Sequence, residues 1–281
     1  MYYMVNMANI ANTFNQGSNY IFIKEVYLMK EIICITNQKG GIGKSTTAQA
    51  IGAGYSFKGY KTLLIDLDAQ CNLTIATGAN RTTKGTYELL TQEAPIEQLI
   101  QPIKENLDII PSSNLLSKIS TKLIGVGKEF RLKEVLNPIL DKYDYIVLDT
   151  PPTLSDLTVN ALTASTLAVI PAQADLFSIE AIKELATTIS VIRKYTNPNL
   201  KIAGILLTRY QARSVLTKEL TELIDDIAKA LHTKVFKARI REAIAIKEAQ
   251  ALNQDIFSYA PKSKVASDYK AFFEELRGMK K

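Results

Sequence analysis

Histidine is almost missing from this 281-residue chain, which has His232 alone, and tryptophan is absent. Chemistry that needs a histidine base therefore has one candidate, late in a charged helical segment where a surface position is expected. Cysteine is scarce as well. Cys34 and Cys71 are the only two, with no C-x-x-C pairing, which argues against a disulfide framework or a thiolate metal site. No apolar run approaches the roughly 18 residues of a bilayer span. Residues 1–28 lack the basic start and compact apolar core of a signal peptide, so a cytoplasmic location is expected. Internal repeats and low-complexity linkers are missing too. The expected organisation is a single domain over residues 29–281 behind a poorly ordered leader, residues 1–28. That leader also reads as an upstream start before Met29, or as a short helix for partner contact.

The most informative stretch is Lys39-Gly40-Gly41-Ile42-Gly43-Lys44-Ser45-Thr46. Residues 31–36 before it form a short apolar strand in sequence terms, and residues 45–57 after it carry helical spacing. Strand, glycine-rich turn and helix in that order make a phosphate-binding loop. The glycines let consecutive N–H groups turn onto an anion, and the helix adds its positive dipole end. Lys44 is placed to reach the terminal phosphates and Ser45 to offer its hydroxyl to Mg2+. The usual spacing asks for a first glycine at position 38, where this chain has Gln38, followed by an extra lysine, Lys39.

Two acidic motifs follow. Asp66-Leu67-Asp68-Ala69-Gln70 ends a second apolar strand, residues 61–66, at the rim where an open α/β sheet binds its ligand. Asp66 and Asp68 alternate, so they share a face, and one or both can reach Mg2+ or an attacking water. Tyr145-Ile146-Val147-Leu148-Asp149-Thr150-Pro151-Pro152 is an apolar run ending in an acid, the Walker B arrangement, in which Asp149 holds the Mg2+ shell. Residues 107–111, 166–171 and 201–208 supply further strands. Helices are expected over about 113–124, 129–141, 178–195, 215–231 and 263–278. Near-continuous apolar strands alternating with helices predict an α/β three-layer sandwich, its mostly parallel central sheet covered by helices on both faces.

Charge is unevenly spread: residues 1–200 hold 18 Lys+Arg against 18 Asp+Glu, and residues 201–281 hold 16 against 10. A basic last third on a neutral body suits an acidic partner, most simply nucleic acid, although a lysine-rich solvated surface gives the same count. The final helix places Tyr269, Phe272, Phe273 and Leu276 on one side, which reads as core packing before membrane contact.

The combination resembles the ParA family of partition ATPases, in the deviant Walker A group of P-loop NTPases. It is carried by Asn37 to Thr47, by Asp66-Leu67-Asp68-Ala69-Gln70-Cys71-Asn72-Leu73 and by Asp149-Thr150-Pro151-Pro152, with Asn160 to Ser165 and Lys247-Glu248-Ala249-Gln250 in support. Two departures stand out. Ala69 replaces the family's usual proline, and 28 leading residues are too few for the helix-turn-helix domain of larger members. The resemblance implies an ATPase using ATP and Mg2+, with residues 39–46 (Lys39, Gly40, Gly41, Ile42, Gly43, Lys44, Ser45 and Thr46) around the nucleotide. It implies metal positions at Ser45, Asp66 and Asp149, a water oriented by Asp68, and Lys39 crossing to the nucleotide of a second copy in an ATP-sandwich homodimer. It further implies non-specific DNA binding near Arg213, Arg241 and Lys247, a ParB-like centromere-binding partner that stimulates slow hydrolysis, nucleoid association and no stable membrane association. A MinD-like membrane-docking ATPase, an iron–sulfur carrier ATPase and a nucleotide-binding adaptor without turnover are the alternatives.

Overall fold

The computed structural model describes residues 31–82, 84–211 and 215–279. The leader expected over residues 1–28, and Arg213, lie outside these described residues. In chain order the strands are β1 (Glu31–Ile35), β2 (Thr62–Asp66), β3 (Gln101–Lys104), β4 (Leu107–Ile110), β5 (Tyr145–Asp149), β6 (Leu167–Ala172), β7 (Lys201–Leu207) and β8 (Val235–Arg239). The α-helices are α1 (Lys44–Phe57), α2 (Asn72–Thr77), α3 (Thr86–Thr91), α4 (Arg131–Leu136), α5 (Asp156–Ala164), α6 (Leu176–Tyr195), α7 (Val215–Ala230), α8 (Ile244–Ala251), α9 (Ile256–Tyr259) and α10 (Lys264–Gly278). The strands form one sheet in the order β3-β4-β2-β5-β1-β6-β7-β8, parallel throughout except for the antiparallel β3–β4 pair.

The strands in the middle are covered on both sides, and alternate residues feed two separate cores. On one face Ile32, Cys34, Ile65, Leu148 and Ile170 pack under α3 to α7; on the other Ile33, Ile35, Leu64, Val147 and Val169 pack under α1, α8, α9 and α10. The three-layer architecture expected from the apolar strands is therefore present. The helical stretch expected over residues 113–124 is instead a 3-10 segment, Asn114–Thr121, and that over 129–141 is broken into 3-10 turns around the short α4. Residues 72–105, which carry little pattern, hold two one-to-two-turn helices and the edge strand β3.

α10 settles on the core. Val265, Ala266, Tyr269, Phe272, Phe273 and Leu276 are all buried, so its apolar face is spent inside the protein. Among the described residues no helix is long and apolar enough to cross a membrane. Gly54 lets α10 approach α1, since a Cβ there would stand 2.7 Å from the buried Phe273 ring. Alanine gains helix propensity of about 1 kcal/mol over glycine, yet overpacking against a ring that is itself enclosed costs about 1–3 kcal/mol. Gly54→Ala is expected to lower the urea midpoint at unchanged m-value. A raised midpoint would show that the ring moves aside freely.

Candidate active site

The parallel register brings the chemistry to one rim. Ile35, the last residue of β1, pairs with Asp149, and Asp149 pairs with Asp66 across β2–β5. The chain leaves β1 into the glycine-rich loop, whose shape is set by remote partners: Asn37 Nδ2 donates to the Pro171 carbonyl at 2.7 Å, and Thr208 Oγ1 donates to the Ile42 carbonyl at 2.8 Å. Gly41 and Gly43 have φ of 72° and 87°, a region that disfavours any side chain. Gly43 is the N-cap of α1 and supplies no side-chain cap, so the first turn of α1 offers bare N–H groups to an anion.

Gly40, Gly41, Gly43 and the first turn of α1, Lys44 to Thr46, line a cavity of about 330 Å³ with Asp68, Gln70, Asn72, Ile75, Pro152, Arg209 and Gln250. That is at the lower end of small-ligand pockets, roughly 300–1,000 Å³. Lys44 is buried, and its Nζ donates to the Lys39 carbonyl at 3.0 Å. Burial depresses the Lys44 ammonium, while the Asp149 and Asp68 carboxylates pull the other way. Asp149 is completely buried, and among the described residues neither carboxylate oxygen has a hydrogen-bond partner. Burial pushes its pKa well above the usual range and the charge of Asp66 adds to this, with Ser45 and Lys44 opposing. An orphaned buried carboxylate next to a serine hydroxyl and a bare helix N-terminus fits a hard divalent cation that shares its shell with phosphate oxygens.

Asp66 is placed differently from Asp149. Its Oδ1 accepts from Asp68 N–H at 3.0 Å, and its Oδ2 accepts from Thr74 N–H at 2.9 Å and Thr74 Oγ1 at 2.7 Å. These bonds lower its pKa, but burial outweighs them and it is pushed up to about 6. The expected metal role thus competes with three protein donors, and the carboxylate visibly ties the loop that carries Asp68 onto α2. Asp68 lines the cavity, as a water-orienting residue must.

Lys39 does not line this cavity. Its ammonium lies against the β6–α6 connection, donating to Gln173 Oε1 at 3.2 Å and Ser178 Oγ at 3.3 Å, and forming an ion pair with Asp175. Asp175 caps α6 by accepting from Ser178 N–H at 2.8 Å. Next to Asp175 in the first turn of α6, Leu176 and Phe177 are exposed apolar side chains.

The basic last third is partly neutralised in place. Arg241 forms a bidentate pair with Asp268 at 2.6 and 2.7 Å, and Lys234 pairs with Glu275. Lys237 and Lys247 are exposed. The sequence motifs include Asn37 and Gln250 without assigning either a role at this site, and they do not include Thr208 or Arg209. Thr208 and Arg209 meet the loop from more than 130 residues away, so no local pattern announces them. Cys34 and Cys71 are both buried free thiols.

Residues 30–202 match the AAA domain family. Sporulation initiation inhibitor protein Soj of Bacillus subtilis is 37% identical over 245 residues, 86% of this chain and 96% of that protein. Chromosome partitioning protein ParA of Myxococcus xanthus is 34% identical over 249 residues, 87% of each chain. Among solved structures, cobyrinic acid a,c-diamide synthase of Mycobacterium smegmatis with bound ADP and magnesium superposes with a TM-score of 0.77 at 28% identity, covering 90% of this chain and 96% of that one.

Proposed function

The chain belongs to the AAA domain family and, within it, to the ParA-type P-loop ATPases, and we propose that it works as an ATP-gated clasp on DNA in a partition system. ATP with Mg2+ binds in the 330 Å³ cavity, the triphosphate on the N-terminus of α1 and on Lys44. Ser45 and Asp149 hold the cation, which neutralises charge on the phosphates when bound. Asp66 keeps the Asp68 loop in place, and Asp68 orients the attacking water. Lys44 stays on the phosphates as negative charge shifts toward the leaving oxygen.

Two copies then close face to face. The observation that carries this is the position of Lys39: its ammonium lies outside its own cavity on the α6 N-terminus, next to the exposed Leu176 and Phe177. A second copy covers those apolar groups and offers Lys39 a triphosphate. The paired basic faces, with Lys247 exposed on each, hold DNA through phosphates and read no sequence. A ParB-like partner accelerates hydrolysis, which reopens the pair. Such a cycle distributes the protein over the nucleoid.

Sedimentation with an ATP analogue, Mg2+ and random-sequence DNA tests this reading. ATP-dependent DNA binding whose log affinity falls linearly with log salt supports it. Lys247→Ala is expected to weaken binding to all sequences and to reduce the salt slope by about 2, close to one phosphate contact in each copy. A salt-independent isotherm, or binding to anionic vesicles in place of DNA, refutes it.

A further inference from the structure

α8 carries Lys247 and is lightly anchored. Ala249 is its one buried residue, and Ile244 at its start is 74% exposed. An element with so little apolar burial is positioned by its polar ties and its neighbours. Besides its tie to α9, where Tyr259 Oη donates to Glu248 Oε2 at 3.2 Å, one polar tie and one neighbour lead to the nucleotide. Gln250 Nε2 donates to Thr46 Oγ1 at 3.0 Å, and Thr46 sits in the first turn of α1, inside the wall of the cavity. α8 also packs on α2, the helix that follows Asp68. Asn253, just beyond α8, closes on Gly78 at the end of α2, where an added Cβ would stand 3.1 Å from the Asn253 Cβ.

A threonine hydroxyl has one proton to donate and lone pairs to accept with. Because Gln250 donates into Oγ1, the hydroxyl proton is left for an acceptor in the cavity, and a phosphate oxygen at the α1 N-terminus is such an acceptor. Consecutive hydrogen bonds polarise each other, so the bond from Thr46 to phosphate strengthens the bond from Gln250 to Thr46. We infer that Gln250 is a positioning residue: through Thr46 it fixes α8 when a phosphate occupies the loop, and so sets Lys247 for the polyanion. The DNA half of this statement rests on the function proposed above; the tie between phosphate and α8 does not. The same ligand that fills the cavity thereby tightens the element that meets DNA, which gives the two sites a shared differential contact.

Hydrogen exchange on the full chain, with and without an ATP analogue and Mg2+ and without DNA, tests the tie. In the unsubstituted protein the amides of residues 244–251 should slow on nucleotide binding by about tenfold, the scale of one added hydrogen bond. At saturating nucleotide, Gln250→Ala and Thr46→Val should lose that slowing and Thr46→Ser should keep it. Lys247→Ala should keep it while weakening DNA binding. Equal slowing in Gln250→Ala and the unsubstituted protein overturns the inference, as does an absence of slowing in the unsubstituted protein. On DNA, Gln250→Ala should reduce the nucleotide-dependent gain in affinity by about five- to tenfold. Slowed α8 exchange without any ATP-dependent DNA binding would sink the DNA reading and leave the tie standing.

Discussion

Lys44→Ala is expected to weaken ATP binding by at least about 100-fold while leaving a folded protein. Hydrogen bonds to charged groups contribute about 1.5–3 kcal/mol each, and tenfold in affinity is about 1.4 kcal/mol. An ammonium spanning two phosphates therefore accounts for two to four orders of magnitude. The fold should tolerate the loss because Lys44 is an expensive residue to bury. It is buried, its ammonium is disfavoured by desolvation, and its hydrogen bond is to the neighbouring Lys39 carbonyl. Removing it strips a counter-charge from Asp149, but burial already holds that carboxyl toward its protonated form. The net change in stability should stay within about 2 kcal/mol. Titration with a fluorescent ATP analogue, paired with a urea melt, checks both halves. A dissociation constant within threefold of the unsubstituted protein would mean that the triphosphate lies elsewhere.

The parts of this molecule that could be read from sequence are those whose signal is local. β1, β2, β5, β6 and β7 are buried on both faces, so each is an apolar run of five to seven residues. β8 carries no such run because Val235-Phe236-Lys237-Ala238-Arg239 is an edge strand with Lys237 exposed, and β3 carries none because Pro102 interrupts a four-residue edge. The same division runs through the site. The loop from Lys39 to Thr46 and the strand-end acids were legible because phosphate binding needs glycines, a lysine and a helix start in one place. What Asp66 does was not legible, since Thr74 lies eight residues further on and meets it only through the fold of the loop. Neither was the tie from Gln250 to Thr46, which closes 204 residues. Charge counting identified a basic last third but could not show that Asp268 and Glu275 occupy Arg241 and Lys234.

Lys39→Ala is expected to do something different from Lys44→Ala: ATP affinity of the single copy stays within about threefold, and ATP-induced dimerisation disappears. The reason is where Lys39 spends its time. Its ammonium sits on Gln173, Asp175 and Ser178, 134 to 139 residues away, and contributes no atom to its own cavity. The side chains of the Lys39–Asp175 pair are 24% and 34% exposed, so the pair contributes only up to about 1 kcal/mol. On the proposed function, a partner's triphosphate, through charge-assisted bonds of about 1.5–3 kcal/mol each, would outcompete that clasp. Without a nucleotide in the partner nothing does, and the lysine stays home. This makes Asp175 a brake of calculable size. Asp175→Asn keeps the N-cap of α6, because asparagine accepts from the Ser178 N–H as well as aspartate does, and it removes the charge that restrains Lys39. Losing about 1 kcal/mol of restraint in each copy should let the dimer form at about five- to thirtyfold lower ATP or protein concentration. Sedimentation velocity across an ATP-analogue series reads both variants. Equal loss of nucleotide affinity in Lys39→Ala and Lys44→Ala would place Lys39 in its own subunit's site. An Asp175→Asn variant that dimerises no more readily than the parent would show that the clasp, though formed, restrains nothing.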